Sequence, residues 1–276
     1  MHHPRAKDGL AALHVGKVHG ASTVLTSRSR SPICLLTPRP RGASVWAFTS
    51  SLGGGMVAGD TAKITLTLDA GAVCFLGTQA SSKVYRSPAQ TPCLHEFHGA
   101  IGPGATLVLA PDPVQCFADA IYQQRQIFNL ASDSNLILVD WISAGRLAYG
   151  ERWAFKRYSS RNEVYLQGKP VLIDAVALDT RDGAIAKRFR AGRFNCFATV
   201  FILGPALIDS AQKSLKQIAG QAIEPRSSFI RTASPVSGGV LLRFAGSSVE
   251  QVGHALSEHL AVVRELLDDD PWLRKW

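Results

Sequence analysis

Gly71–Gln79 reads GAVCFLGTQ, Gly104–Asp112 reads GATLVLAPD, and Ser134–Ile142 reads SNLILVDWI. Each segment follows a turn-type cluster, holds a short apolar run and ends in polar residues. Aligned on Ala72, Ala105 and Asn135, the copies recur after 33 and then 30 residues. Similar strands at such a period suggest stacked tiers, as in a β-helix or a layered sandwich. Ordinary strands after ordinary turns are the alternative.

Upstream, KITLTLD (63–69) alternates cleanly, with Ile64, Leu66 and Leu68 on one face and Lys63, Thr65 and Thr67 on the other. That is the period of a half-buried strand. Downstream, two helices are predicted. In ALIDSAQKSLKQIAG, Leu207, Ala211, Leu215 and Ile218 form one apolar stripe, and Gly220 is a natural stop. Later, Ser247 and Glu250 spell a capping box, and Val249, Val252, Leu256, Leu260, Val263 and Leu267 form a second stripe. Asp268, Asp269 and Asp270 follow it, placed either in water beyond the helix or against a basic partner. The second helix, with Trp272 and Trp276 after it, is expected to contact a partner. The fold expected is mainly β, with many short strands in a β-helix-like or layered stack. Its two α-helices lie in the C-terminal third, at about 206–220 and 248–267. No linker rich in proline, glycine or serine divides the chain, so 1–276 reads as one domain. Residues 1–12, with His2 and His3, read as a loose end.

Apolar residues make up 46% of the chain and charged ones 18%, which supplies a core and argues against disorder. The net charge of +9 favours acidic partners. The cations are scattered, the densest groups being Arg28-Arg30-Arg39-Arg41 and Lys187-Arg188-Arg190-Arg193, without interleaved aromatics. An acidic protein is therefore the expected partner, rather than nucleic acid. Five dispersed cysteines (Cys34, Cys74, Cys93, Cys116, Cys196) contain no C-x-x-C pair. They indicate neither a zinc ribbon nor a disulfide framework. The start lacks the apolar core of a signal peptide, and no run reaches the ~18 apolar residues of a membrane span. A cytoplasmic protein without membrane association is expected.

Gly53–Thr61, GGGMVAGDT, has the layout of a phosphate-binding loop, but Asp60 stands where that loop has lysine. A carboxylate there repels phosphate, and the segment feeds the strand KITLTL rather than a helix N-terminus. Nucleotide binding is therefore excluded at this loop, and its glycines point to positive φ or close chain approach. Among metal-ligating types, Cys93 and His95 share a face if their segment is a strand, while His98 points the other way. His254 and Glu258 are i, i+4 on the last helix, with His259 off that face. None completes a three- or four-ligand set. No nucleophile elbow or reactive-cysteine signature occurs. The remaining conspicuous polar groups are Thr78, Gln79, Lys83, Tyr85 and Arg86 in TQASSKVYRS, and Asp140, Arg146 and Glu151 in DWISAGRLAYGERW. Their mixed signs suit buried ion pairs as well as a site.

Four segments, in order, resemble the urease accessory protein family UreD, called UreH in some organisms. SLGGGMVAGD (51–60) is similar to the family's glycine-rich G-G-x-x-x-G-D segment, with Gly54, Gly55, Gly59 and Asp60. GTQASSKVYRS (77–87) resembles its T-Q-x-x-x-K-x-Y-R-S segment, through Thr78, Gln79, Lys83, Tyr85 and Arg86. LAPDPVQCFADAIYQQ (109–124) resembles its P-x-P, aromatic and glutamine region. DWISAGRLAYGERWAF (140–155) resembles its D-x-x-x-x-G-R-x-x-x-G-E-x-W-x-F segment, through Asp140, Gly145, Arg146 and Glu151. Ala58 stands where glycine is usual, and Leu52 where proline or glycine is common.

The resemblance implies a mainly β maturation factor that is not an enzyme. Such a factor binds apo-urease and bridges it to UreF and, through UreF, to the GTPase UreG, in a hetero-oligomer. It holds no tight cofactor, and nickel is in transit. A water-filled nickel path through it is implied as well. On the motif positions, Asp60, Asp140 and Glu151 are the candidates to line that path, the alternative being pairing with Arg86 and Arg146. Two other functions stand beside this one. One is a β-solenoid carbohydrate-active hydrolase or lyase using the same three carboxylates as acid and base. The other is a passive adaptor that passes no metal.

Overall fold

The computed structural model describes residues 7–39 and 42–274. The first strands are β1 (Asp8–Val18), β2 (Ala21–Arg30), β3 (Ile33–Leu36), β4 (Val45–Ser51), β5 (Thr61–Leu68) and β6 (Val73–Thr78). Then come β7 (Lys83–Val84), β8 (Cys93–Ile101), β9 (Thr106–Leu109), β10 (Val114–Cys116), β11 (Ile121–Leu130) and β12 (Asn135–Ser143). The last strands are β13 (Arg157–Leu166), β14 (Lys169–Asp179), β15 (Cys196–Leu203), β16 (Phe229–Val236) and β17 (Gly239–Gly246). Helix α1 (Ile208–Ala219) precedes β16, and α2 (Val249–His259) and α3 (Val262–Leu267) follow β17.

From β4 to β13 the chain alternates between two facing sheets. Sheet A has the order β14-β13-β11-β8-β5-β1-β2, and sheet B runs β16-β17-β15-β12-β9-β6-β4-β3. The central strands of both are parallel, so each turn of the chain adds one strand to each sheet. This is the expected stack. Val73 lies beside Thr106, and Thr106 beside Asn135, so the true offsets are 33 and 29. The alignment of Asn135 with Ala105 is therefore one residue out. The backbone sets the register: Thr106 N–H donates to Ala72 O at 2.9 Å, and Asn135 N–H to Ala105 O at 2.8 Å.

The two sheets differ in what covers them, and this explains their different sequence patterns. Sheet A packs one face on the interior, so β5 buries Ala62, Ile64, Leu66 and Leu68 and alternates. Sheet B is covered on both faces. In β12 every residue is buried: Leu136, Leu138 and Ile142 join the core between the sheets, while Ile137, Val139 and Trp141 join a second core under the helices. Leu207, Ala211 and Ile218 supply that second core from the α1 side, as do Val252, Leu256, Leu260, Val263 and Leu267 from the last helices. The stripe of the second predicted helix is thus used against the chain's own sheet.

Three expectations change. The segment from Asp8 to Ala12 is part of β1, paired with β5 and β2, and is not a loose end; residues 1–6, with His2 and His3, lie outside the described residues. The helix expected at about 248–267 is two helices. Between them the bonds shorten to i→i+3, Val263 N–H to Leu260 O at 2.9 Å and Arg264 N–H to Ala261 O at 3.1 Å, which keeps Leu260 and Val263 both in the core. The cap is Ser248, not Ser247: its hydroxyl accepts from Gln251 N–H, and the Gln251 side chain reaches back to Ser247 N–H. Among the terminal acids, Asp270 accepts from Trp272 N–H and pairs with Arg264 at 2.7 Å. Trp276 lies outside the described residues, and no described helix is long and apolar enough to cross a membrane.

Leu107 stands fully buried between Cys74 and Leu136 at the middle of the ladder. Leu107→Ala is expected to lower the unfolding free energy by about 2–5 kcal/mol, measured by urea titration of the full chain. Ser248→Ala, at the helix cap, is expected to cost only about 1 kcal/mol.

Candidate functional site

The glycine loop is a rung of the stack. Met56 pairs in parallel with Val84, and Val84 with Cys116. Met56 N–H donates to Lys83 O at 2.8 Å, and Tyr85 N–H to Met56 O at 2.9 Å. Gly55 allows this approach, since a Cβ there would lie 2.7 Å from Lys83 O. Gly54 and Gly59 have φ of 81° and 85°, which only glycine adopts readily. Asp60 is buried beneath the loop, where Oδ1 accepts from Lys7 N–H at 2.8 Å and Oδ2 from Val57 N–H at 2.9 Å. It pairs with neither Arg86 nor Arg146. Its work is to tie the start of β1 to the loop through backbone amides.

Glu151 does pair with Arg146, whose Nε donates to Oε2 at 3.0 Å and whose Nη2 reaches Oε1. Oε2 also accepts from Ala118 N–H at 3.1 Å. These bonds hold the Glu151 carboxyl below the usual range, the Arg146 guanidinium contributing most. The same guanidinium lies over the Phe117 ring at 4.2 Å, and Phe117 meets Tyr85 edge to face. Gly145 has φ of 105°, with Cys116 O and Glu151 O too close for any Cβ. Glu151 is therefore a fastener between loops, as the pairing alternative expected. Thr78 exchanges two bonds with Asp112, donating to Oδ2 at 2.9 Å and accepting from Asp112 N–H at 2.7 Å. Gln79, Lys83 and Arg86 are exposed, and Arg86 makes no ion pair with a described residue.

Asp140 differs from the other two carboxylates. It is buried between the sheets, and its partners are neutral. Gln124 Nε2 donates to Oδ1 at 3.0 Å, Ser160 Oγ to Oδ2 at 2.5 Å and Asn162 Nδ2 to Oδ2 at 2.8 Å. Burial raises its pKa, and the three hydrogen bonds oppose that rise without cancelling it. The network continues from Gln126 Nε2 to Asn162 Oδ1 at 2.8 Å and from Tyr122 OH to Gln124 Oε1 at 3.0 Å. Beside it lies a cavity of about 180 Å³, lined by His95, Tyr122, Gln124, Gln126, Asp112 and Asp140, with Ser81, Ser82 and Lys83 also on its wall. Its polar groups sit among apolar ones such as Ile64, Leu76, Phe97 and Trp141, and this volume suits several waters. Neither Asp60 nor Glu151 lines it. Of the three candidate carboxylates, only Asp140 lines this cavity.

His95, half-buried, lines the same cavity, and its Nδ1 has no hydrogen-bond partner among the described residues. Burial pushes its pKa down to about 4, so at neutral pH the ring is uncharged with a lone pair available. Cys93 shares its inward face, as the strand spacing required, but donates to Val57 O at 2.9 Å, and burial pushes its thiol up to about 12. No group of three or more His, Cys, Asp or Glu positioned to hold a metal exists among the described residues. On α2, Glu258 pairs with Arg231 at 3.7 Å.

Gln124, Gln126, Ser160 and Asn162 escaped attention in the sequence. Their signal was parity. In IYQQRQIFNL, Gln124 and Gln126 fall on the side of Tyr122 and Phe128, and in RYSSRNEV, Ser160 and Asn162 fall on the side of Tyr158 and Val164, all core positions. Polar residues at core parity mark a hydrogen-bonded interior.

The structure is a layered β stack with a cavity between its sheets, and Asp60, Asp140 and Glu151 are each held by separate partners. The family described as UreD urease accessory protein matches residues 7–276. The chain is 41% identical over 271 residues to a urease accessory protein UreD of Sorangium cellulosum, covering 98% of this chain and 85% of the other. It is 38% identical over 275 residues to one of an Anaeromyxobacter species (98% and 92%), and 34% identical over 288 residues to urease accessory protein D of Arabidopsis thaliana (94% and 97%). The chain belongs to the UreD urease accessory protein family.

The His95 geometry has a consequence for stability. In the unfolded chain the ring takes its proton below about 6.5, and in the folded chain only near about 4. Within that window the unfolded state binds more protons, so stability falls as pH drops through it. His95→Gln is expected to reduce the loss of unfolding free energy between about pH 7 and about pH 5, measured by urea titration at each pH.

Proposed function

We propose that this chain acts in urease maturation as a non-catalytic scaffold that holds apo-urease and bridges it to UreF and, through UreF, to the GTPase UreG. We propose further that nickel, as cargo, crosses the chain through the cavity between the sheets. The observation that supports this best is the cavity between the sheets with the Asp140 carboxylate on its wall beside an uncharged His95, whose Nδ1 has no hydrogen-bond partner among the described residues. A divalent ion in transit needs ligands that offset its charge without trapping it. One imidazole and one carboxylate, already satisfied by neutral donors, meet that need better than a closed set of four. The route runs past Asp140 and His95 rather than past Asp60 and Glu151, which hold loops in place. GTP hydrolysis belongs to UreG in this scheme, and the glycine loop, built as a β rung, has no part in it.

Co-expression of apo-urease with its accessory proteins tests the proposal. Omitting this chain should leave urease without nickel and without activity; full nickel content in its absence would end the proposal. With the complex still assembled, His95→Ala with Asp140→Asn should cut nickel incorporation by about tenfold or more. Unchanged incorporation would leave a passive adaptor in its place.

A further inference from the structure

Helices α1, α2 and α3 all pack on sheet B, and the outer face of sheet A is covered by no described element. Across this face runs one in-register row: Arg30, Leu10, Lys63, Glu96, Arg125 and Arg161. Four of its six residues are cations. In the next row Ile127, Glu163 and Ile173 are neighbours, and Arg28 lies opposite Ala12. Arg28, Arg30 and Lys63 also border a shallow hollow floored by Leu10.

The Glu163 carboxylate organises the centre. It lies on the outer face, yet its side chain is only 3% exposed, because Arg125, Arg161 and Tyr165 cover it. Oε1 accepts from Arg125 Nε at 2.8 Å and from Arg161 Nε at 2.9 Å, and Oε2 accepts from Tyr165 OH at 2.8 Å. One anion thus holds two guanidiniums, leaving a net positive charge. The two arginine side chains are 58% and 47% exposed, and their terminal nitrogens have no hydrogen-bond partner among the described residues. Each fork is fixed at its Nε end and open at its outer end. Such a fork meets a carboxylate bidentately and loses little freedom in doing so.

We infer that the outer face of sheet A docks an acidic protein surface, with Arg125 and Arg161, clamped on Glu163, receiving a carboxylate of the partner. The inference rests on the scaffold role proposed above and assigns it a surface. Short side chains such as Ala12, Thr65 and Ala175, and the apolar Ile127 and Ile173 beside the guanidiniums, suit a protein face. Nucleic acid fits less well, because Glu96 and Glu163 interrupt the cations and the hydroxyl of Tyr165 is tied to Glu163.

The test is retention of apo-urease and the other accessory proteins by the full-length tagged chain, at low and high salt. The variants are R125E/R161E, E163Q, and a control reversal of exposed cations on α1, K213E/K216E. Thermal unfolding of each variant confirms the fold. R125E/R161E is expected to lose partner retention by about tenfold or more at low salt and to flatten its salt dependence, with K213E/K216E unchanged. E163Q, which frees the two forks, is expected to weaken retention less than the double reversal. Normal retention by R125E/R161E overturns the inference, as does an equal loss in K213E/K216E. Duplex DNA captured by the wild-type chain but not by R125E/R161E would overturn it in favour of phosphate recognition. If omitting the chain does not affect urease activation, the scaffold role itself fails. If omission abolishes activation but R125E/R161E still activates and retains partners, only the docking surface fails.

Discussion

The structure depends on the parallel ladder of sheet B. Its strands are buried on both faces, between the inter-sheet core and the helices, so their backbone groups cannot turn to water. Each N–H and C=O has to be met by the tier beside it, as Thr106 is by Ala72 and Asn135 by Ala105. A slip of one residue would also exchange Leu136 and Leu138 for Ile137 and Val139 between two cores of different shape. The register is held by hydrogen bonding and by packing together, and every other element is hung from it.

The polar groups of the interior are carried by this ladder and the sheet facing it. Asp140 sits on β12, in the best-covered strand, and is reached by Gln124, Ser160 and Asn162 from the facing sheet. A carboxylate taken out of water is costly unless donors surround it, and here amide and hydroxyl groups surround it without an opposing charge. A full ion pair would lock the site. Here burial raises the Asp140 pKa, the neutral donors only partly oppose that rise, and the carboxyl lies on the wall of the neighbouring cavity. Glu151 and Glu163 show the other solution, in which guanidiniums keep a carboxylate ionised and its surroundings fixed. The chain uses strong ion pairs at its loops and outer face, and neutral networks inside.

Asp60 illustrates how a motif position can mislead. Its place after a glycine run argues against phosphate, and its charge invites a role with cations. The structure shows instead a carboxylate spent on two backbone amides, one from the loop and one from the residue before β1. Nothing in the spacing of the sequence announces a bond to Lys7, which is 53 residues away. His95 is the reverse case. Beside Cys93 in the sequence it shares a strand face without completing a metal site; in the structure it lines a cavity, and its Nδ1 has no hydrogen-bond partner among the described residues.

The sequence by itself determined the kind of fold, because burial leaves a local trace. Strands exposed on one face alternate, as in KITLTL, and strands covered on both run apolar throughout, as in SNLILVDWI. It also determined both helix stripes and the family motifs. Only the tertiary structure decided the register of the third repeat, the break at Leu260 and Ala261, and which carboxylates are anchors and which one faces open space. These depend on contacts between residues far apart in the chain. Whether a carboxylate meets an arginine, a backbone amide or a cavity is settled by what the opposite sheet or the next loop brings to it, and residue spacing along one strand does not record that.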